Sequence, residues 1–299
     1  MKRRDLLKFA GFTAAGTAMI GGTGTAHAGA TGAARSRDDV DLFVRDWGEG
    51  RPIVFVHSWA LASQMWQYQM LPLTQAGYRC IAYDRRGHGQ SPDTGGGYDF
   101  DTLADDLARV LEQRGLKGVT LVGHSMGAGE IARYIGRHGS ARIAKIVIAS
   151  PACTPLLFKR PDNPAGIDQA FFDKLRAGMI ADFPKWVDDN ADPFVVPATS
   201  PGMRAWIKGM FADVSLQAAF DCNRAMTTTD FRTDLKKIDR PTLVIHGTRD
   251  ASAPLELTGR PTANAISGAR LEIYEGAPHG LFATHIDRLT RDIRQFAEA

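Results

Sequence analysis

The sequence predicts an α/β protein with a mostly parallel central sheet that is covered by helices on both faces. Two observations favour this fold class. Short apolar runs rich in β-branched residues recur along the chain, and segments with helical periodicity lie between several of them. Runs that are apolar on both faces are typical of central strands in a doubly covered sheet. The alternation of strand and helix indicates parallel strands joined by right-handed crossovers.

The predicted strands are short and mostly apolar. They are Ile53–Val56, Cys80–Tyr83, Val119–Val122, Ile146–Ala149, Leu243–Ile245 and Leu271–Tyr274. The predicted helices carry apolar residues at intervals of three and four positions. They are Asp101–Arg114, Ser125–His138 and Thr284–Ala297. Thr102 and Asp105 offer a capping box to the first helix, and Gly115 and Gly139 offer C-terminal caps to the first and second.

The alternation of strands and helices stops between Ser150 and Lys237. This stretch contains no convincing strand and is rich in Pro, Phe, Met and Trp. Helical patterns near Asp168–Asp188 and Met203–Thr227 predict a helical cap, at about residues 151–236, that is inserted into the α/β domain. No internal repeat or linker in the sequence divides this domain further.

Composition and charge exclude several broad classes of protein. Hydrophobic residues make up 44% and charged residues 23% of the chain, which is typical of a globular protein and not of a disordered or fibrous one. The sequence lacks a run of roughly 18 mostly apolar residues, so no helix is expected to span a membrane. The net charge of +3 lies entirely in residues 1–28. The balanced remainder gives no electrostatic reason to expect nucleic acid as a partner.

Residues 1–28 have the features of a bacterial export signal. A basic start that includes Arg3 and Arg4 precedes an uncharged run of Ala, Gly and Thr, and a small-x-small cleavage site ends at Ala28. The paired arginines resemble a twin-arginine signal. We expect a mature domain of residues 29–299 that is periplasmic or secreted and keeps no stable membrane anchor. The alternative is a tail in which two arginines are adjacent by chance.

The three cysteines predict no disulfide framework. Cys80, Cys153 and Cys222 form no C-x-x-C pair, and an odd number cannot all pair with one another. Cys80 lies in an apolar strand pattern and is expected to be a buried small hydrophobe. A disulfide between Cys153 and Cys222 stays open, because the sequence does not give the distance between them.

The most informative motif is the turn Gly123–Gly127, with the sequence G-H-S-M-G. It follows a predicted strand and opens a predicted helix, which is the setting of a nucleophile elbow that exposes a serine, here Ser125. A dinucleotide fingerprint, G-x-G-x-x-A, overlaps it from Gly127 to Ala132. Those glycines fall inside the helix and no acidic residue ends the next strand, so the nucleotide-binding interpretation fails.

A serine becomes an effective nucleophile when a base takes its proton and a carboxylate orients that base. Asp250 follows the strand Leu243–Ile245, and His279 stands in a Gly/Pro loop after the strand Leu271–Tyr274. The chain order of serine, acid and histidine is the one expected with this turn. We therefore predict a catalytic triad of Ser125, Asp250 and His279, with no metal and no organic cofactor.

An oxyanion hole requires two backbone N–H groups close to the nucleophile. Met126 follows the serine directly, and Trp59 lies in the loop after the strand Ile53–Val56, so we predict these two as the donors. The charged turn Asp84–Gly87 is expected near the entrance of the same cleft. The remaining histidines at strand ends are expected to be hydrogen-bonded structural groups, since no metal-ligand spacing accompanies them. They are His57, His88, His124 and His246.

Over nearly all of residues 40–299 the chain resembles the α/β-hydrolase superfamily, and within it the bacterial arylesterases and cofactor-free haloperoxidases, or perhydrolases. The resemblance is carried by Val56–Leu61, Met65–Met70, Tyr83–Ser91, Leu121–Gly127, Ala132–Ala141, Thr229–Arg232, Pro241–Gly247 and Ala277–Gly280. It implies an α/β-hydrolase fold, a small ester as substrate, and an acyl pocket lined by Trp59 and Met126. Members that favour peroxide chemistry commonly have proline where this chain has Ala60, so strong perhydrolysis is not expected.

Three functional hypotheses follow. The first is a serine carboxylesterase or arylesterase that acts on small esters through an acyl-enzyme. The second is a cofactor-free perhydrolase or haloperoxidase that uses the same triad. The third is a non-catalytic binding protein on a hydrolase scaffold, which an intact triad disfavours. A homo-oligomer stays open.

Overall fold

The computed structural model describes residues 40–152, 159–164 and 166–299. The predicted export signal, the predicted mature start at Gly29 and Cys153 lie outside these residues and stay predictions. Cys80 and Cys222 are buried thiols. Among the described residues, none of the helices is both long and apolar enough to cross a membrane.

A seven-stranded sheet forms the centre of the described chain. Its strands are β1 (Val44–Trp47), β2 (Arg51–Val56), β3 (Tyr78–Tyr83), β4 (Val119–His124), β5 (Ile143–Ala149), β6 (Thr242–Gly247) and β7 (Arg270–Tyr274). Their spatial order is β1-β3-β2-β4-β5-β6-β7, and every pair is parallel except β1 with β3. The predicted mostly parallel sheet is confirmed, and the six predicted strands correspond to β2 through β7.

Helices cover both faces of this sheet. They are α1 (Gln67–Gln75), α2 (Phe100–Gln113), α3 (Met126–His138), α4 (Gln169–Ala181), α5 (Phe183–Phe194), α6 (Pro201–Ala212), α7 (Leu216–Thr228), α8 (Arg232–Lys236), α9 (Gly259–Ala265), α10 (Leu281–Thr284) and α11 (Ile286–Glu298). Alternate strand residues point to opposite faces. In β2, Val54 and Val56 pack in the core that α2 and α3 complete, whereas Ile53 and Phe55 pack in the core completed by α1 and α11.

The predicted helical cap is present between β5 and β6, but each of its two predicted helices is divided in two. Asp182, with φ −162° and ψ 89°, ends α4 and caps α5 by accepting a hydrogen bond from the Lys185 N–H. Ser215 caps α7 in the same way by accepting from the Ala218 N–H. A side chain that satisfies an unpaired N–H group favours a new helix start over continuation of the old helix.

The start of α2 differs from the predicted capping box. The helix begins at Phe100, and the Asp99 carboxylate accepts a hydrogen bond of 3.0 Å from the Thr102 N–H. The predicted cap at Thr102 is therefore wrong, because an acidic residue three positions earlier already fills that role. The Asp105 side chain instead pairs with Arg137 on α3.

The topology gathers four loops at one edge of the sheet. β2, β4, β6 and β7 are parallel, so their carboxyl ends and the loops that follow them lie on the same side. Clefts in open α/β sheets form outside these ends. The predicted functional residues follow these four strands in the chain.

Candidate active site

Ser125 stands in the sharp turn between β4 and α3. Its backbone has φ 55° and ψ −113°, a conformation that side chains rarely adopt, and its N–H donates to the Ala149 carbonyl at 2.9 Å. The flanking glycines make this turn possible. A Cβ at Gly123 would lie 2.7 Å from Ile131 Cδ1, and one at Gly127 would lie 2.5 Å from the Val56 carbonyl oxygen. The serine is therefore held in a strained position by close packing on both sides.

The structure brings the three residues of the predicted triad together. The Ser125 hydroxyl lies 2.9 Å from His279 Nε2, and His279 Nδ1 lies 2.7 Å from Asp250 Oδ2. A carboxylate only accepts hydrogen bonds, so Nδ1 carries the proton and Nε2 accepts from the serine. All three side chains are buried. The arrangement can pass a proton from the hydroxyl to the imidazole while the carboxylate fixes the ring.

Asp250 is held by more partners than the triad alone requires. Its Oδ1 accepts from the Ala253 N–H at 2.7 Å, and His246 Nε2 lies 3.2 Å from the same Oδ2 that holds His279. Burial raises the pKa of Asp250, but the charge and hydrogen bond of His279, with those of His246, outweigh it. The net result is a pKa well below the ordinary value, so the carboxylate is ionised at neutral pH.

Two further histidines hold the parts of the triad in place. His246 Nε2 lies 2.8 Å from the Ala253 carbonyl oxygen, which ties the ring to the same loop as Asp250. His124 Nε2 lies 2.8 Å from the backbone carbonyl of His279. Burial, with the nearby charge of His279, lowers the pKa of His124 to about 3, so its ring is neutral and Nε2–H donates. Both were expected to be structural, and the contact of His246 with Asp250 was missed.

The predicted oxyanion donors follow two neighbouring strands of the sheet. Met126 is the first residue of α3, directly after the serine, and Trp59 lies in the loop after β2, which pairs with β4. We call residues 57–60, after β2, the oxyanion loop. Within it, the Trp59 indole Nε1 donates to the Ala219 carbonyl at 2.8 Å, and Ala60 has a positive φ of 54°. The loop is therefore anchored to the cap helix α7 as well as to the sheet.

Aromatic side chains of the cap stand beside these groups. Phe194, at the end of α5, has its ring centre 5.6 Å from that of His279, and its carbonyl accepts from the Gly280 N–H at 2.8 Å. The Trp59 ring packs edge-to-face against rings contributed by α5 and α6. These rings are Phe183, Trp186 and Phe211. The sequence alone did not indicate which cap aromatics would lie near the triad.

The turn Asp84–Gly87 is buried to a degree that the sequence did not indicate. Asp84, Arg85 and Arg86 are each about 1% exposed. Glu130, on α3, is fully buried and forms an ion pair with Arg85. Within the described ranges, no group of three or more His, Cys, Asp or Glu side chains could hold a metal ion.

Comparison with known proteins matches residues 53–292 to the model of the alpha/beta hydrolase family. A non-heme chloroperoxidase of Kitasatospora aureofaciens is 42% identical over 271 residues, which cover 87% of this chain and 97% of that protein. A bifunctional esterase/perhydrolase of Acinetobacter calcoaceticus is 36% identical over 276 residues, covering 89% and 99%.

A solved structure agrees with these sequence matches. The crystal structure of a bromoperoxidase from Bacillus anthracis has a TM-score of 0.84 at 39% identity, covering 87% of this chain and 96% of its own. The resemblance stated from the sequence motifs is thus confirmed. Because the family model spans most of the chain and the relatives match over nearly their whole lengths, the chain belongs to the alpha/beta hydrolase family.

Proposed function

We propose that the protein is a serine esterase that hydrolyses small carboxylic or aryl esters through an acyl-enzyme. The observation that carries this proposal is the unbroken chain of hydrogen bonds from Asp250 through His279 to the Ser125 hydroxyl. An ionised carboxylate beside the Nδ1–H stabilises the imidazolium that forms when the serine loses its proton.

In the first half of the reaction, His279 Nε2 takes the hydroxyl proton while Ser125 Oγ bonds to the ester carbonyl carbon. The carbonyl oxygen becomes an oxyanion, and the N–H groups of Met126 and Trp59 stabilise it. When the tetrahedral intermediate collapses, the bond to the leaving oxygen breaks and His279 returns its proton to that oxygen. The products are a free alcohol and an acyl group on Ser125.

In the second half, water replaces the alcohol. His279 takes a proton from water, the hydroxide oxygen bonds to the acyl carbon, and the same two N–H groups stabilise the second oxyanion. Collapse breaks the bond to Ser125 Oγ, which recovers its proton from His279. The acid leaves, and the triad is restored.

The aromatic surroundings of the triad support small apolar or aryl esters as substrates. Aromatic rings of the cap pack against the rings of His279 and Trp59. Aromatic and apolar linings with few polar groups are typical of sites for uncharged small molecules. The relative from Acinetobacter calcoaceticus, whose name includes esterase, supports the same class of substrate.

Hydrolysis of p-nitrophenyl acetate by the purified chain, beside Ser125→Ala, tests the proposal. Loss of a triad nucleophile is expected to lower kcat by about 10⁶-fold, or to the background rate. Ser140→Ala is a matched control, because Ser140 is also buried but lies after the far end of α3. Equal activity of Ser125→Ala and the wild type, or a folded and inactive wild type, would refute the proposal.

The second candidate is perhydrolysis by the same triad, which the names of the two relatives favour. Here hydrogen peroxide replaces water in the second half: His279 takes its proton, and the hydroperoxide oxygen bonds to the acyl carbon. Collapse breaks the bond to Ser125 Oγ, which recovers its proton from His279, and the product is a peracid. The resemblance to the family associates peroxide chemistry with proline at the position of Ala60. Proline requires a φ near −65°, whereas Ala60 has a φ of 54°, and this difference supports hydrolysis as the main reaction. The measured ratio of peracid to acid at one fixed peroxide concentration separates the two.

We also propose that the protein is exported and that residues 1–28 are removed. The support is the order of a basic start, an uncharged run and a small-x-small site that ends at Ala28. N-terminal sequencing of the protein recovered from a bacterial periplasm or medium should begin near Gly29. Recovery of the chain with Met1 intact would contradict export by this signal.

A further inference from the structure

A fully buried ion pair lies beneath the oxyanion loop. Arg85 Nε pairs with a Glu130 carboxylate oxygen, and both side chains have an exposed fraction of 0%. Arg85 follows β3, whereas Glu130 lies on α3, the helix that starts directly after the nucleophile. Glu130 also accepts a hydrogen bond from the Tyr83 hydroxyl. The charged pair therefore joins the turn after β3 to the helix that begins at the nucleophile.

The other donors of Arg85 bind the oxyanion loop itself. Its Nη1 donates to the Ser58 carbonyl at 3.1 Å, its Nη2 donates to the His57 carbonyl, and its backbone N–H donates to His57 Nε2 at 3.0 Å. Burial, followed by the charge of Arg85, lowers the pKa of His57 well below its ordinary value. The His57 ring is thus neutral, and its Nδ1–H donates to the same Ser58 carbonyl at 2.7 Å.

The Ser58 carbonyl matters because it belongs to the peptide group that carries the Trp59 N–H. That group is planar, and in a trans peptide the C=O and N–H bonds point in opposite directions. Two donors that hold the Ser58 oxygen on one side therefore direct the Trp59 N–H to the other side. Rotation of this peptide would break both hydrogen bonds in a buried place, where an unpaired carbonyl is costly.

Glu130, the acidic member of the ion pair, is linked through α3 to the Met126 N–H, the second predicted donor. Glu130 lies one helical turn after Met126, whose N–H is the other predicted donor. The start of α3 already touches the end of β2, since a Cβ at Gly127 would lie 2.5 Å from the Val56 oxygen and 3.1 Å from the His57 oxygen. The pair therefore adds a second, directional link between the helix and the loop.

Stability alone gives a weak reason for such a pair. The desolvation of two buried charges offsets most of their attraction, and apolar replacements of buried pairs are often neutral for stability. A fixed direction for a peptide dipole, in contrast, is what electrostatic stabilisation of an oxyanion requires. We propose that Arg85 and Glu130 are positioning residues that fix the direction and separation of the two oxyanion donors, an inference that rests on the proposed esterase function.

The test compares Arg85→Met, Arg85→Lys and Glu130→Gln with a matched control, Arg86→Met. Arg86 forms an equally buried ion pair with Asp106 on α2, with two hydrogen bonds of 2.8 Å, and that pair lies between the turn and α2. Arg85→Lys keeps the charge but cannot reproduce the forked donors that hold both carbonyls. It also stays useful if Arg85→Met does not fold.

Four quantities are measured on each variant with p-nitrophenyl acetate: kcat, KM, Tm and the inhibition constant of a trifluoromethyl ketone. The ketone adds to Ser125 and forms an oxyanion, so its affinity reports on the hole. Both Arg85 variants are expected to lower kcat by roughly ten- to hundredfold with little change in KM, less than the loss of a whole donor. The ketone affinity should fall in parallel with kcat/KM, and Glu130→Gln should show a smaller loss of the same kind. Arg86→Met should lower Tm and leave kcat within about twofold, as expected for a change away from the reacting groups.

Two results would overturn the proposal, and they are distinguishable. If the wild type shows turnover that Ser125→Ala lacks, yet Arg85→Lys lowers only Tm and leaves kcat and ketone affinity unchanged, the pair is merely structural. If the folded wild type shows no turnover that depends on Ser125, the proposed esterase function fails, and the positioning role fails with it.

Discussion

Replacement of Asp250 by Asn tests the electrostatic part of the mechanism most directly. Every hydrogen bond that the Asp250 carboxylate makes in the triad region is one that it accepts: Oδ1 from the Ala253 N–H, and Oδ2 from His279 and His246. An amide carries one oxygen and one NH₂ group. Either orientation therefore sets the NH₂ against a buried donor that has lost its acceptor.

The orientation that relieves this conflict changes the His279 tautomer. If the NH₂ group of the Asn side chain faces Nδ1, that nitrogen must accept, and the ring proton moves to Nε2. Nε2 then cannot take the Ser125 proton, and the charge that stabilised the imidazolium is gone as well. The expected fall in kcat is about 10⁴-fold, which corresponds to about 5.4 kcal/mol of transition-state stabilisation.

The assay is kcat for p-nitrophenyl acetate at saturating substrate between pH 6 and 9, with Asp106→Asn as the buried-carboxylate control. Raising the pH is expected to restore the kcat of Asp250→Asn only in part. A neutral His279 ring that carries its proton on Nε2 can take the Ser125 proton only after its own proton has moved to Nδ1. A fall of less than about tenfold in Asp250→Asn would refute the assigned role, because orientation by a triad carboxylate is worth far more.

Three further predictions follow from the same contacts. Gly127→Ala should abolish activity and lower Tm, because its Cβ would lie 2.5 Å from a β2 carbonyl oxygen. Gly209→Ala should instead stabilise the chain by about 1 kcal/mol, since among the described residues nothing beyond its chain neighbours and the nearby backbone of its own helix lies within 4 Å of its Cβ position. His246→Gln should lower kcat about tenfold by loosening the triad carboxylate, with little change in KM, which steady-state kinetics would reveal. Burial lowers the pKa of His88 and His124 to about 3, so the unfolded chain binds protons that the folded chain does not, and stability should be lost as pH falls from about 6.5 towards 3. Urea unfolding at pH 7 and pH 5 measures that loss, and an unchanged free energy of unfolding would show that these rings accept protons in the folded state.

The central sheet was predictable because its strands carry an unmistakable local pattern. β2 to β6 are largely buried on both faces, and their apolar runs need no information from distant residues. β1 was missed because it is an edge strand with Arg45 and Asp46 at its centre, and Asp46 is satisfied by Arg79 on β3. α1 was missed because it contains Pro72 and the buried Gln69, whose amide donates to the distant Phe282 carbonyl. Tertiary partners decided both elements, and a sequence pattern does not contain them.

The same distinction between local patterns and distant partners applies to the candidate site. Ser125, Asp250 and His279 could be predicted because each follows a recognisable strand, and parallel strands bring their carboxyl ends to one edge. The two oxyanion donors were predicted from the same pattern, and their role stays a prediction. In contrast, the strand-end turn that contains Arg85 resembles a solvated charged turn, since nothing local indicates that its arginine will be buried.

The position of Glu130 in the chain explains why the burial of Arg85 could not be predicted. Glu130 lies 45 residues away, on a helix face where an isolated glutamate is usually exposed. Each charge is tolerable in the core only because the other is there, so neither can be interpreted alone. The nucleophile turn requires small residues and allows no ionic group of its own at Gly123 or Gly127. The proposed directional link between the two predicted oxyanion donors therefore has to come from side chains outside the turn, and a buried arginine with forked donors meets this need where an apolar contact would not.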